Sequence, residues 1–267
     1  MTTLKELSNL QGRRALITGA AGNLGKVFAD TLAELGSDLI LVDLPGSNLE
    51  ELSSVISEHW GVKVIARHCD LESSDQRDEL INWVKKAEEP LHILINNAAF
   101  AGTTNLTGWT VPFEEQSLDT WRRALEVNLT SIFHICQGLT PLLKAVKGSS
   151  IVNIASIYGA YGPNWSLYED TDMSNPAAYG ASKGGLIQLT RWLATTVAPE
   201  VRVNSISPGG IFRNQPEVFV QRYIEKTPLV RMATEDDFRG AIAYLTSDLS
   251  RYVTGQNLIV DGGWGTW

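Results

Sequence analysis

The sequence predicts an α/β fold with one doubly wound, parallel sheet of seven strands, and three observations lead there. Short, nearly continuous apolar runs recur at residues 14–18, 39–43, 62–67, 91–96, 150–155, 201–206 and 258–261. Strands buried on both faces read this way, whereas half-exposed strands alternate apolar and polar positions. Longer segments of helical period separate the runs, and parallel neighbours need such crossovers. No Pro/Gly/Ser-rich linker, internal repeat or low-complexity stretch interrupts the alternation, so residues 1–267 are expected to form a single domain.

The first helix shows its buried face directly. Leu24, Val27, Phe28, Thr31, Leu32 and Leu35 recur at three and four residues after the first strand. Ser47 with Glu50 and Ser73 with Gln76 have the capping-box spacing, and Asn175-Pro176 reads as an N-cap followed by an N1 proline.

Charge and cysteine content exclude several functions. Lys and Arg total 22 against 30 Asp and Glu, a net charge of −8, which opposes nucleic-acid binding. Cys69 and Cys136 lie far apart with no metal-ligand spacing, so no metal is expected and a reducing compartment fits. The polar start MTTLKELSNLQGRR is no signal peptide, and no apolar run reaches spanning length. A cytoplasmic protein without membrane partners is the expectation.

The first strand runs into Thr18-Gly19-Ala20-Ala21-Gly22-Asn23-Leu24-Gly25 and then the helix. Glycines there permit a tight turn and bring backbone N–H groups and the helix N-terminus to a pyrophosphate. A glycine-rich turn also arises from close helix–strand packing alone. Asp43 ends the second strand, 18 residues after Gly25, where a carboxylate takes ribose hydroxyls and repels a 2′-phosphate. NAD is therefore the expected cofactor. Asp70-Leu71 and Asn96-Asn97-Ala98-Ala99 end their strands on the same sheet edge, where open α/β sheets bind ligands.

Tyr179 and Lys183 stand at i and i+4 on one helix face. A phenol with a pKa near ~10 is a poor base at neutral pH, and an adjacent ammonium favours its phenolate. Ser156 follows the fifth strand and can hold a substrate oxygen; Asn128, in LEVNLTSIF, can hold a relay water. By itself, a Tyr and Lys at helical spacing is more often a surface pair.

With these parts together, the sequence resembles the short-chain dehydrogenase/reductase family over nearly its whole length. The matching segments are TGAAGNLG, Asp70-Leu71, NNAA, Asn128, Ser156, YGASK, Ser207-Pro208-Gly209-Gly210 and VTGQNLIVDGG. The resemblance implies Tyr179 as acid/base, Lys183 as ribose ligand and pKa modifier, Ser156 as orienter and Asn128 as relay anchor. It places Gly19, Gly22, Asn23, Leu24, Gly25, Asp43, Asp70, Leu71, Asn97, Ala98, Pro208, Gly209 and Ile211 along the cofactor. It also implies a homo-oligomer, tetramer or dimer, built through the helices carrying Asn128 and Tyr179.

Three features depart from the compact branch of that family. Asn23 stands where a middle glycine is usual, Gly22 precedes it, and Asn tolerates left-handed backbone. Ala99 replaces the last glycine of the NNAG motif. Ser156 and Tyr179 are 23 positions apart, longer than usual, because of an inserted loop near 162–175 that should border the substrate mouth. Arg213 stands after the Pro-Gly turn where a threonine is common, and with Tyr158 and Trp165 it is a candidate substrate contact, through a bidentate grip on phosphate or carboxylate or, equally, a surface ion pair. The arrangement resembles enzymes of sugar-nucleotide chemistry, flagellin modification and nonulosonic-acid synthesis. A small-molecule, nucleotide-activated sugar oxidised or reduced at a secondary alcohol is the expected substrate. Glu169, Asp170 and Asp172 oppose a diphosphate unless they pair with Arg213 or Arg222. A 3-oxoacyl thioester reductase and a catalytically silent NAD-binding sensor are the alternatives. Finally, Trp264 and Trp267 in the last four residues are expected to cover a subunit boundary.

Overall fold

Every residue of Arg14–Thr18, Ile93–Asn96 and Ser149–Ile154 is buried, so these runs are covered on both faces. In the computed structural model, which describes residues 1–101 and 106–267, they are central strands of one sheet. The strands are β1 (Arg14–Thr18), β2 (Asp38–Asp43), β3 (Val64–His68), β4 (Ile93–Asn96), β5 (Ser149–Ile154), β6 (Val201–Pro208) and β7 (Asn257–Val260). Their order is β3-β2-β1-β4-β5-β6-β7 with every pairing parallel. The chain leaves β1 toward β2 on one side and reaches β4 on the other, so the strand order reverses between β1 and β4. Ligands of open α/β sheets bind at such a reversal.

The helices are α1 (Leu4–Ser8), α2 (Asn23–Glu34), α3 (Leu49–Trp60), α4 (Ser74–Lys86), α5 (Leu118–Leu125), α6 (Ser131–Lys144), α7 (Ala177–Thr196), α8 (Glu217–Glu225) and α9 (Arg239–Thr246). They cover both faces of the sheet. Phe28, Leu32, Ile56, Ile242 and Leu245 bring α2, α3 and α9 onto one face, and Leu80, Val84, Ile135, Leu139 and Leu186 bring α4, α6 and α7 onto the other. A separate apolar cluster forms beyond the ends of β5–β7 from Ile157, Leu167, Phe219, Tyr223, Met232 and Trp264.

The helix starts follow some of their local signals and not others. Ser73 caps α4, accepting from Gln76 N at 3.3 Å. The Ser47–Glu50 box does not form: Ser47 Oγ donates to Leu44 O at 2.7 Å to close the preceding turn, and Asn48 becomes the N-cap of α3. Pro176, not Asn175, is the N-cap of α7, in extended conformation and with no side-chain cap. Asn23 is the first residue of α2 and takes no left-handed conformation; Gly19, with φ 64°, makes the turn.

The tail corrects another expectation. Trp264 is buried within its own chain, stacked on Tyr223 with ring centroids 5.9 Å apart and planes at 15°. Asp261 fixes this turn by accepting from Gly263 N and Gly265 N, both at 2.9 Å. Its apolar area is already covered, so Trp264 has none to offer a subunit boundary. Trp267 is exposed, its indole N–H donating to Lys226 O at 3.2 Å.

Candidate active site

A cavity of about 880 Å³ opens along the C-terminal ends of the strands. Its first end is made by the β1–α2 turn. A Cβ on Gly19 would lie 2.7 Å from Ala98 Cα, and one on Gly25 would lie 2.0 Å from Gly19 O. Neither position admits a side chain without moving backbone. Gly22, Asn23 and Leu24 present the N-terminus of α2 to the cavity, while Gly25 lies buried behind the wall and serves packing. The turn is tied to β4: Thr18 Oγ1 accepts from Asn97 N at 3.1 Å, and Asn97 Nδ2 donates to Gly19 O at 2.9 Å.

Asp43 stands on the wall at the end of β2. Its Oδ2 accepts from Ala21 N at 2.8 Å and its Oδ1 from Leu44 N at 2.7 Å, which fixes the carboxylate beside the glycine turn. Asp70, Leu71, Asn97, Ala98, Pro208, Gly209 and Ile211 also reach the wall, as the sequence predicts. A side-chain-free cradle at a helix N-terminus, followed by a fixed carboxylate, fits the phosphates and ribose of a dinucleotide.

Ser156 follows β5 in extended conformation, its Oγ accepting from Tyr158 N at 3.1 Å. Burial raises the pKa of Tyr179, while the neighbouring Ser156 hydroxyl and the Arg213 charge oppose that rise. Lys183, one helical turn on, is buried with Nζ 5.9 Å from the Tyr179 ring centroid and donating to Ile154 O at 2.7 Å. Burial pushes its pKa down to about 7. The ammonium thus lies over the ring face in this geometry rather than at the phenol oxygen.

The Asn128 side chain is engaged within the fold. It sits in a π-helical turn, Glu126–Thr130, that joins α5 to α6. Its Oδ1 accepts from Phe100 N at 2.7 Å, and its Nδ2 donates to Phe100 O at 3.0 Å and Ser182 Oγ at 3.1 Å. Both amide hydrogens are used, so this side chain clamps the segment after β4 and does not reach the cavity wall.

The other end of the cavity is formed by the inserted loop, the segment after β6, and α8. Tyr158, Tyr168, Met173 and Asn175 meet Arg213, Phe219, Tyr223 and Met232 there. Trp165 is corrected: it is exposed, lies off the wall, and packs its ring 5.8 Å from that of Tyr168. Of the acidic trio only Asp172 reaches the wall. Arg222 binds the Glu169 main-chain carbonyl and, at 3.3 Å, the Asp170 carboxylate. Arg213 Nε meets Glu235 Oε1 at 3.0 Å. Sequence reading missed Tyr168, Asn175, Phe219, Tyr223 and Met232 as cavity residues; only the position of the first two inside the insertion pointed to them.

No helix among the described residues is long and apolar enough to cross a membrane, and no cluster of metal-ligating side chains occurs among them. The nucleotide cradle and the Ser156–Tyr179–Lys183 group define a nicotinamide-dependent oxidoreductase site. Comparison agrees: a family model described as enoyl-(acyl carrier protein) reductase matches residues 19–265. The chain belongs to the short-chain dehydrogenase/reductase family, as an oxidoreductase acting on CH–OH groups. It is 32% identical over 264 residues to an uncharacterized short-chain type dehydrogenase/reductase of Sinorhizobium fredii, covering 95% of this chain and 44% of that protein. A 3-oxoacyl-[acyl-carrier-protein] reductase of Thermotoga maritima is 31% identical, covering 95% of this chain and 98% of its own. The post-translational flagellin modification protein A of Campylobacter coli is 26% identical, covering 96% and 99%.

Among solved structures, NAD⁺-bound xylitol dehydrogenase aligns with a TM-score of 0.83 at 30% identity, covering 95% of this chain and 99% of its own. A putative NAD(P)-dependent gluconate 5-dehydrogenase of Beutenbergia cavernae, with bound NADP, gives 0.86 at 29%, covering 98% and 100%. Structural relatives thus carry either nucleotide.

Proposed function

We propose that this enzyme uses NAD(H) to interconvert a secondary alcohol and a ketone on a sugar bearing an anionic group, such as a nucleotide diphosphate. The observation that carries this reading is Arg213. It stands on the cavity wall, its charge acts on the Tyr179 phenol, and of its guanidinium nitrogens only Nε hydrogen-bonds to another side chain among the described residues. The two terminal nitrogens are left for a phosphate or carboxylate. The Asp170 carboxylate pairs with Arg222, and neither Glu169 nor Asp170 stands on the cavity wall, which lessens the charge conflict that the sequence raised. Asp43 favours NAD, because a 2′-phosphate beside its carboxylate would meet like charge.

Gly19, Gly22, Asn23 and Leu24 would hold the pyrophosphate and Asp43 the adenosine ribose. The nicotinamide supplies the hydride acceptor or donor. Tyr179 Oη gives a proton to the carbonyl oxygen in reduction and takes it back in oxidation. Ser156 Oγ orients that oxygen, and Lys183 favours the phenolate and binds ribose. Asn128 keeps the segment after β4 in place. A homo-oligomer, tetramer or dimer, belongs to the same reading; Phe133 on α6 and Trp192 on α7 are exposed aromatics available for it.

A second reading, reduction of a 3-oxoacyl thioester, draws on the apolar side chains Met173, Phe219 and Met232 and on the Thermotoga relative. Initial rates with both nucleotides against nucleotide sugars, polyols and an acetoacetyl thioester separate the two. NAD⁺-linked turnover of a charged sugar is expected, and Tyr179→Phe should lower kcat by about 10²–10⁴-fold with NAD⁺ affinity retained. Strong NADPH preference with thioester turnover alone would replace the first reading with the second.

A further inference from the structure

His68 closes β3 beside Asp43, its Cα partner at the end of β2. Both of its ring nitrogens meet oxygens that can only accept. Nδ1 lies 3.0 Å from the Leu44 main-chain carbonyl, and Nε2 lies 2.9 Å from Glu50 Oε1 on α3. A carbonyl and a carboxylate have no proton to give, so each bond needs an N–H from the ring. A neutral imidazole has one N–H and an imidazolium has two. The contacts of His68 therefore fit the charged ring.

The charged groups that act on the ring are acidic. Glu50 faces it from α3 and Asp43 from β2, whereas Arg67, the preceding residue on β3, turns to α4 and lies 4.6 Å over the Trp83 ring. The Leu44 carbonyl, the Glu50 carboxylate and the Asp43 charge hold the His68 pKa above the ordinary histidine value. His68 is not on the cavity wall; it stands behind the turn that supplies Asp43, Leu44 and Ser47 to it. Leu44 is the link. Its N–H donates to Asp43 Oδ1 at 2.7 Å, and its carbonyl accepts from His68.

We infer that His68 is a selectivity residue for the nucleotide: its positive charge offsets the Asp43 carboxylate where a 2′-phosphate would lie, so discrimination against NADP(H) is weaker while His68 is protonated than when it is neutral. This rests on the proposed reading of Asp43 as the ribose ligand and adds control by protons. An anion placed near the ring favours the imidazolium, and by reciprocity the imidazolium favours the anion. NAD carries no phosphate there, so its own affinity should change little with the state of His68. The ring is exposed, which screens the interaction and keeps it modest.

The test measures dissociation constants of NAD⁺ and NADP⁺ for the full-length enzyme by calorimetry at low salt, between about pH 5.5 and about pH 8.5. A phosphate monoester itself titrates at about pH 6, so wild type is compared with two variants. His68→Gln lacks the ring charge, and His68→Arg carries a charge throughout. The ratio of the NADP⁺ constant to the NAD⁺ constant should rise with pH about 3–10-fold more in wild type than in either variant. His68→Arg should match wild type at low pH, and His68→Gln should match it at high pH. In a proton NMR titration the His68 midpoint should lie about 0.5–1 pH unit higher with NADP⁺ than with NAD⁺, as the same coupling requires. Equal pH slopes in all three proteins overturn the inference, as does a His68 midpoint that NADP⁺ leaves unmoved or a failure of NADP⁺ to bind at any pH. Tighter binding of NADP⁺ than NAD⁺ by all three proteins at every pH would remove the Asp43 reading, while an excess slope in wild type would still uphold the part of His68.

Discussion

Around Gly19, Gly22 and Asn97 the cavity wall is made of strand ends and main-chain atoms, whereas around Tyr158, Tyr168, Arg213 and Tyr223 it is made of side chains from separate segments. The first end holds its shape because its turn packs on β4 with no room for a Cβ. The second end holds its shape because aromatic rings lean on one another, from Trp165 through Tyr168, Phe219 and Tyr223 to Trp264. Main-chain geometry tolerates few substitutions. Packed side chains can be exchanged for others of similar volume at modest cost, so the second end is where specificity can change while the fold persists.

Three perturbations should separate the two ends, beginning with the strongest. Gly25→Ala drives a methyl against Gly19 O, so the β1–α2 turn must open. NAD⁺ affinity measured by calorimetry should fall by at least about 100-fold, since the pyrophosphate contacts depend on that turn. Normal binding in this variant would show that the first end is as adaptable as the second. Trp264→Ala removes a buried indole stacked on Tyr223, and denaturant unfolding should show a loss of about 3 kcal/mol. NAD⁺ affinity should stay within about twofold, because the removed contacts lie among side chains at the other end. Equal damage to nucleotide binding would mean the ends are mechanically one.

The smallest effect is electrostatic. Burial lowers the Lys183 pKa to about 7 from 10.5, so between those values the unfolded chain binds a proton that the folded chain lacks. Stability contributed by this site therefore rises with pH from about 7 to about 10, and below 7 the cost of burying the charge is present in full. The Tm of wild type, taken relative to Lys183→Met, should increase across that range. A constant difference would mean that Lys183 keeps its proton in the fold.

The same contrast explains what could be read from the sequence. The seven strands were legible because burial on both faces demands continuous apolar runs, and their ends were misplaced by no more than two residues. Gly19, Gly22 and Asp43 were legible because a tight turn and a strand end fix both residue type and spacing. Ser156, Tyr179 and Lys183 were found through family resemblance, and they do come together. Phe219, Tyr223 and Met232 were not legible: they approach through tertiary packing, and no spacing rule links residues so far apart. Trp165 shows the reverse error. An aromatic in an inserted loop looked like a substrate contact, yet it supports Tyr168 from outside the wall. The bonds by which the Asn128 amide holds Phe100 were equally invisible to spacing, because residues 100 and 128 meet only in the fold.

The Asp261 turn, which seats Trp264 on Tyr223, also sets an order of events during synthesis. All of β1 to β4 and the glycine turn have emerged from the ribosome long before residue 264. Until it follows, Tyr223 and its aromatic neighbours lack their cover. The aromatic surface left bare until then is of the kind that factors binding exposed apolar side chains recognise.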